Sequence, residues 1–118
     1  IGGFTDAADV QVTMITAPLV RSRLPIVLDR VTTVTAPGEM IDVVVTEYGI
    51  AVNPRRQELL DRLKGSTLPL KPIEELRDIA LKLSGAPEKP VFTDRVVAVI
   101  EFRDGTIIDA VRELVPAE

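Results

Sequence analysis

Three consecutive valines at positions 43–45, within the extended run 40–46, constrain the fold more than any other stretch of the chain. An unbroken β-branched run predicts a strand that is buried on both faces, as at the centre of a parallel sheet. Extended runs over 10–17 and 26–35 precede it, and 48–52 either extends the strand or pairs back after Gly49. The front of the chain therefore predicts a sheet.

The middle of the chain predicts two helices, over residues 54–64 and 72–84. Asn53 is a suitable N-cap for the first helix, and Pro54 suits the first helical position, where its missing N–H costs nothing. Apolar residues recur with a helical period in both segments. Gly65 and Gly85 follow the two stretches, where glycine commonly ends a helix.

The tail predicts a hairpin of two strands, over 95–102 and 106–114. Asp104-Gly105 between β-branched runs suits a two-residue type I′ turn, in which both central residues need positive φ. The order of strands, two helices and a hairpin favours an α/β or an α+β fold with a mixed sheet, and we take α/β as the expected class. We expect a mixed, mostly parallel sheet with packed helices and a C-terminal β-hairpin.

Composition excludes several classes of function. The 118 residues suffice for one domain, 1–118, and include no Cys and no His, so thiolate chemistry, a histidine general base and most zinc sites are excluded. No metal site is expected. The net charge of −4 and only four aromatic residues argue against a nucleic-acid partner. No apolar run approaches the ~20 residues of a membrane helix, and no signal-peptide pattern begins the chain. A cytoplasmic location without membrane contact is the expectation.

Two short motifs are candidates for chemistry. Gly2 and Gly3 precede the first strand, where glycines let backbone N–H groups approach an oxyanion or a phosphate. Glu47 and Tyr48 follow the valine strand, and ligands of α/β sheets gather at the carboxyl ends of strands. The alternatives are structural: an ordinary glycine loop, a Glu47 that pairs with an arginine, and a Tyr48 that covers the core.

Four arginines lie in predicted loops beside these strands: Arg21, Arg23, Arg55 and Arg56. A guanidinium binds carboxylates and phosphates through two parallel hydrogen bonds. The positive dipole end of the first helix would add to Arg55 and Arg56. We predict that the glycine loop, Glu47-Tyr48 and this helix start converge on one anion site. The alternative places Arg55 and Arg56 on the solvated helix face, paired with Glu58 or with nothing.

Three stretches resemble the C-terminal end of the citrate lyase alpha subunit family: residues 16–23, 45–56 and 93–106. The continuation of Thr-Glu-Tyr-Gly-Ile-Ala into Val-Asn-Pro-Arg-Arg, which includes Asn53, is the most specific of them. The similarity runs from the Gly2-Gly3 loop to about Val115. The resemblance implies a CoA-transferase-like half domain, as the C-terminal portion of a larger subunit.

The resemblance also implies a chemistry. In this family, citrate displaces acetate from an acetyl-thioester on an acyl carrier protein, which gives the citryl thioester and acetate. A citrate carboxylate attacks the thioester, and the released thiolate then attacks the citryl side of the mixed anhydride. The resemblance implies that no cofactor binds directly, because the CoA-type thioester, either acetyl-CoA or the carrier's CoA-derived group, is a substrate. The implied partners are citrate and the beta and gamma (acyl carrier) subunits of citrate lyase.

The expected site combines both lines of reasoning. Gly2, Gly3 and Glu47 are the catalytic candidates, although Glu47 lies outside the motif of the covalent glutamate of other CoA-transferases. The substrate-binding candidates are Arg21, Arg23, Tyr48, Asn53, Arg55 and Arg56. We expect the chain alone to be inactive. A CoA-transferase for another small carboxylic acid and a non-catalytic docking module of the lyase complex are the alternatives.

Overall fold

A computed structural model describes residues 10–116. The described chain forms two compact units. The helical unit comprises residues 11–30 and 38–87, and the ribbon unit comprises residue 10 with 31–37 and 88–116. The single domain expected from the length stays a prediction.

The helical unit contains a three-stranded sheet in the order β1-β4-β5, with β1 at Met14–Thr16, β4 at Val43–Thr46 and β5 at Gly49–Val52. The valine strand β4 is central, as its sequence predicts. It pairs parallel with β1 and antiparallel with β5. Gly49–Val52 thus pairs back, which resolves the alternative left open by the sequence.

The expectation of a mostly parallel sheet is wrong for the described part of the chain. The β1/β4 pair is parallel, but the other three strand pairs are antiparallel. The physical reason is that β4 ends in a two-residue turn instead of a helical crossover, and a tight turn can only join antiparallel strands. A single parallel bridge between Ile50 and Leu70 extends the far side of β5.

Gly49 permits the close approach of the segment around Leu70 to β5. Its φ is +154°, and a Cβ atom built on it would lie 2.9 Å from Cδ of Lys71 and 3.1 Å from the carbonyl oxygen of Pro69. The same carbonyl accepts the Ile50 N–H at 3.0 Å. A side chain at position 49 would therefore push away the segment that pairs with β5.

A small hairpin follows β1. Its strands are β2, Val20–Arg21, and β3, Leu24–Pro25. Ser22 and Arg23 form its turn in the left-handed region, with φ of 51° and 65°. The extended strand expected over 26–35 is absent, because the structure has bends and coil there and no ladder partner. The chain passes from the helical unit into the ribbon unit within that stretch.

The two helices are α1, Gln57–Leu63, and α2, Ile73–Ser84. The helix α2 buries Leu76 and Ala80 against Leu19 and Ala51, which forms the small apolar core. The helix α1 begins three residues later than predicted. Asn53 is not its N-cap, because its Oδ1 accepts the Arg55 N–H at 3.1 Å in a local turn.

The ribbon unit consists mainly of the predicted hairpin, with β6 at Phe92–Glu101 and β7 at Ile107–Leu114. The hairpin is confirmed, but the two-residue type I′ turn is wrong. Among the residues between the strands only Gly105 has a positive φ, +86°. The N–H of Gly105 donates to Phe102, and the N–H of Phe102 donates to Thr106, which defines a three-residue loop. The Asp104 carboxylate stabilises it by accepting the Thr106 N–H at 2.9 Å.

Candidate functional site

The β4/β5 hairpin separates the predicted site residues into two groups. Its turn end pairs Thr46 with Gly49, and its open end pairs Val43 with Val52. Three residue steps of about 3.4 Å put roughly 10 Å of strand between these ends. Glu47 and Tyr48 lie at the turn end, whereas Asn53, Arg55 and Arg56 follow the open end. The prediction that Glu47 and the 55–56 pair share one site is therefore wrong.

The turn end coincides with the carboxyl ends of the parallel strands β1 and β4, which finish at Thr16 and Thr46. An open cleft of about 480 Å³ lies there, which we call the carboxyl-edge cleft. It is lined by Thr16, Ala17, Pro18, Val45, Thr46 and Glu47. The cleft occupies the position at which α/β sheets generally bind ligands.

Glu47 connects this edge to the β2/β3 hairpin. Both oxygens of its carboxylate lie within hydrogen-bond distance of the Leu19 N–H, at 2.9 and 3.2 Å. Leu19 is fully buried in the core of the helical unit. The carboxylate thus accepts from a backbone donor, a contact that the arginine pairing considered from the sequence did not anticipate.

Arg21 and Arg23 lie on the β2/β3 hairpin, and both are exposed. In the described part of the chain, neither forms an ion pair with an acidic side chain. The left-handed backbone at Ser22 and Arg23 costs roughly 1–2 kcal/mol per non-glycine residue. Strained turns of this kind persist where the surrounding structure holds them, and they cluster at functional sites.

Tyr48 completes the turn between β4 and β5. The Thr46 hydroxyl accepts the Tyr48 N–H at 3.2 Å and donates to the Gly49 carbonyl at 2.9 Å. The backbone of Tyr48 is therefore held in the turn, and 41 % of the residue is exposed. Its predicted role in substrate binding stays a prediction.

The open end of β4/β5 carries a different cluster, centred on Asp42, which is only 7 % exposed. Its Oδ2 accepts the Thr13 N–H at 2.7 Å, and its Oδ1 lies 2.8 Å from Nη1 of Arg56. Arg56 also donates to Glu58 and to the carbonyl of Gln11 at 2.9 Å. These hydrogen bonds, first that to Glu58 and then that to Asp42, raise the pKa of Arg56 above its usual value.

Arg56 is thus committed to partners within the protein. The pairing with Glu58 that the sequence offered as an alternative is present. Sequence reasoning missed Asp42, although an acidic residue directly before a run of three valines is a visible signal. A carboxylate there must be paired or hydrogen-bonded, because burial of a lone charge is costly.

Asn53 and Arg55 also have partners at this end. The Asn53 amide donates to the carbonyls of Gly38 and Ile41, at 3.2 and 3.0 Å. Arg55 forms an exposed ion pair with Glu39 at 3.3 Å. A mostly apolar cleft of about 310 Å³ lies beside Asn53. The ligand roles predicted for Asn53, Arg55 and Arg56 stay predictions. In the structure, each of these residues has a polar contact within the protein.

Gly2 and Gly3 lie outside the described residues, so their predicted role is unchanged. Between residues 10 and 116, no three acidic side chains come together as a possible metal site. No helix in that range is both long enough and apolar enough to span a bilayer.

Comparison with known proteins identifies close relatives of this sequence. Residues 1–114 match the family profile "Citrate lyase, alpha subunit (CitF)". The chain is 52 % identical over 114 residues to the citrate lyase alpha chain of Klebsiella pneumoniae and 45 % identical to that of Haemophilus influenzae. Each alignment covers 96 % of this chain but only 22–23 % of the relative. The chain therefore spans less than a quarter of the length of these relatives.

A solved structure agrees with the sequence matches. It is that of a Streptococcus mutans protein assigned as the alpha subunit of citrate lyase, in complex with citrate. The two share 44 % sequence identity with a TM-score of 0.87 over 89 % of this chain and 21 % of that one. The backbone arrangement described above is therefore shared with that protein.

Proposed function

The chain belongs to the citrate lyase alpha subunit family, and on that premise we propose that it forms part of a citrate CoA-transferase. The proposed reaction exchanges acetate for citrate on a carrier-bound thioester and gives the citryl thioester and free acetate. The relatives at 45–52 % identity and the citrate complex of the Streptococcus mutans protein support citrate as the acid. Because the chain spans a small share of its relatives, the activity belongs to the complete subunit.

The chemistry needs charge and backbone donors but no histidine or cysteine. A citrate carboxylate oxygen attacks the thioester carbonyl, the C–S bond breaks, and a mixed anhydride and a thiolate result. The thiolate then attacks the citryl carbonyl, the C–O bond breaks, and acetate leaves. Each tetrahedral intermediate carries an oxyanion, for which one backbone donor is typically worth about 3 kcal/mol. Gly2 and Gly3 remain the proposed donors.

The observation that carries the proposal is the carboxyl-edge cleft, where Glu47 binds the backbone at the base of the hairpin that carries Arg21 and Arg23. Arg21 and Arg23 have no acidic partner in the described residues, whereas Arg55 and Arg56 are paired. Citrate is a tricarboxylate, so two of its carboxylates need cationic partners while the third reacts. Among residues 10–116, Arg21 and Arg23 are therefore the candidate arginines that we propose for this task.

The substrate and partner assignments follow from the same proposal. The acetyl group arrives on a CoA-type thioester, either acetyl-CoA or the CoA-derived group of an acyl carrier subunit. We therefore propose the beta and gamma subunits of citrate lyase as partners, and the cytoplasm as the compartment. The CoA-type group is a substrate in this scheme, and the protein residues bind and orient its thioester.

The ribbon unit favours a second candidate function, that of a docking module. Val96, Val97 and Val99 on β6 are each 51–54 % exposed. Two-stranded ribbons are marginal on their own, and consecutive exposed valines leave both faces of the strand uncovered. In this alternative, the chain contributes surface to the lyase complex and no group to the site.

A chimera tests the proposal directly. This chain would replace the matched 114 residues of the Klebsiella pneumoniae alpha chain. The assay measures acetate released from an acetyl-thioester when citrate is added, with propionate or succinate as competing acids. Citrate-dependent release of acetate is the expected result. A chimera that assembles with the other subunits but releases no acetate contradicts the proposal and favours the docking module.

A further inference from the structure

We propose that the β2/β3 hairpin is a carboxylate-binding arm, and that Glu47 is a positioning residue that fixes its base. Arg21 and Arg23 would bind the non-reacting carboxylates of the acid. The observation behind this inference is that both oxygens of the Glu47 carboxylate accept the N–H of Leu19, the residue directly before β2. The inference rests on the proposed function and assigns the part of the site that recognises the acid.

Leu19 connects three parts of the helical unit. Its N–H is bound by Glu47, its carbonyl accepts the Ile26 N–H at 2.9 Å, and its side chain is buried in the core. The bond to Ile26 closes the base of the hairpin below the Val20/Pro25 pair. Glu47 therefore ties the hairpin base to the β4/β5 turn, which borders the carboxyl-edge cleft.

The turn of the hairpin gives a second, independent indication. Two consecutive left-handed residues form a type I′ turn, for which Asn-Gly is the favoured sequence, yet this chain has Ser22 and Arg23. The buried Pro25 and the helix α2, which packs against both strands, hold the hairpin in this conformation. A rigid hairpin loses little conformational freedom when it binds a ligand, so its arginines are preorganised.

Charge identifies the class of ligand. Arg21 and Arg23 are exposed and lack an acidic partner in the described part of the chain, and an anion is the class of ligand that two such charges attract. A guanidinium fits the two oxygens of a carboxylate in one plane. Two arginines one residue apart suit an acid with at least two carboxylates, and a monocarboxylate such as acetate would gain less from them.

A variant of Glu47 separates the positioning role from a catalytic one. A nucleophile or a general base needs a carboxylate whose lone pairs face the reacting atoms. Both oxygens of Glu47 lie against one backbone N–H, and this bond needs an oxygen acceptor but no nucleophile. A glutamine at this position keeps an oxygen acceptor for Leu19 but has neither the charge nor the nucleophilicity. Glu47→Gln therefore distinguishes a positioning residue from a catalytic one.

The experiment uses the chimera described above and measures kcat and KM for citrate. Arg21→Met and Arg23→Met are expected to raise KM by about tenfold each with kcat within about threefold, the loss typical of one charged hydrogen-bonded contact. Glu47→Ala should raise KM in the same way, and Glu47→Gln should restore most of the loss. Arg62→Met, on the exposed surface of α1, is the matched control and should change neither constant.

Equilibrium dialysis of labelled citrate against each variant gives a readout that does not require turnover. A kcat abolished by Glu47→Gln would make the residue catalytic and overturn the positioning role. Unchanged citrate affinity in both arginine variants would overturn the arm. If the chimera transfers another acid and not citrate, the proposed function fails, while KM for that acid still tests the arm.

Discussion

The buried carboxylate of Asp42 provides the sharpest test of how the helical unit is held together. Asp42→Ala removes the acceptor of the Thr13 N–H, which binds Oδ2 at 2.7 Å. A buried donor left without a partner costs about 1–3 kcal/mol, and the Thr13 N–H is partly buried, so the upper end of this range is not expected. Arg56 adds little to this loss, because its side chain is 25 % exposed and keeps Glu58 as a partner. We expect Asp42→Ala to lower the free energy of unfolding by about 2 kcal/mol.

Circular dichroism at 222 nm during urea denaturation measures this loss. Both helices belong to the helical unit, so the helical signal reports on the unit that contains Asp42. The matched control is Glu39→Ala, which removes the exposed ion pair with Arg55. Exposed pairs contribute little, so the control should change the free energy of unfolding by less than about 0.5 kcal/mol.

The two variants together decide whether the reasoning is correct. A midpoint that shifts for Asp42→Ala and not for Glu39→Ala, at an unchanged slope, is the expected pattern. Equal midpoint shifts in the two variants would mean that burial of a carboxylate does not determine its contribution to the free energy of unfolding. No shift in Asp42→Ala would mean that water satisfies the Thr13 N–H, and the account of this cluster would be refuted.

Three further predictions concern single positions. Gly49→Ala should destabilise the chain by about 1–2 kcal/mol in urea, because the methyl group meets a lysine side chain and a backbone carbonyl at a positive φ; an unchanged midpoint would contradict this. Leu76→Ala, in the core, should cost about 2–5 kcal/mol, and Leu83→Ala on the exposed face of the same helix less than about 1 kcal/mol. Hydrogen bonds from the Val34 and Ala110 N–H groups lower the pKa of Asp109 in the folded chain. The ionised carboxylate therefore stabilises the ribbon unit fully at pH values above the unfolded pKa of about 3.9. This stabilisation is lost as the pH falls through the lower pKa of the folded state. The Val34 amide proton shift should titrate with a midpoint below about 3.9 and should lose this titration in Asp109→Asn; a midpoint at or above 3.9 would contradict the assignment.

Local patterns predict most elements of this fold, but they predict a strand over 26–35 that is absent and do not predict the β2/β3 hairpin. The apolar stripe of α2 and the two β-branched runs of the tail are dense signals, and both elements form where expected. The start of α1 was misplaced because the Asn53 side chain binds two distant carbonyls and a local N–H, which sequence spacing cannot reveal. The turn of the tail hairpin was misjudged because the Asp104 side chain stabilises a longer loop.

The strand directions in the sheet were harder to predict, because they depend on the connection between β4 and β5. A valine-rich strand with a neighbouring strand on each side occurs in both parallel and mixed sheets. The composition of β4 therefore does not distinguish these two kinds of sheet. The Thr46 hydroxyl bridges the turn, and Gly49 admits the neighbouring segment, so the chain reverses after β4. This reversal carries Asn53 and the residues after it to the opposite end of the sheet from Glu47.

The same reversal explains how similar residues at the two ends acquire different tasks. At the open end, Arg56 forms an ion pair with the buried Asp42, so the charge of Arg56 is paired within the protein. At the carboxyl edge, Glu47 accepts from a backbone N–H instead of from an arginine. Arg21 and Arg23, on the hairpin whose base this bond holds, have no acidic partner between residues 10 and 116. The candidate arginines without an acidic partner in the described residues are thus the two that the proposed carboxylate arm requires, whereas Arg55 and Arg56 have acidic partners at the open end.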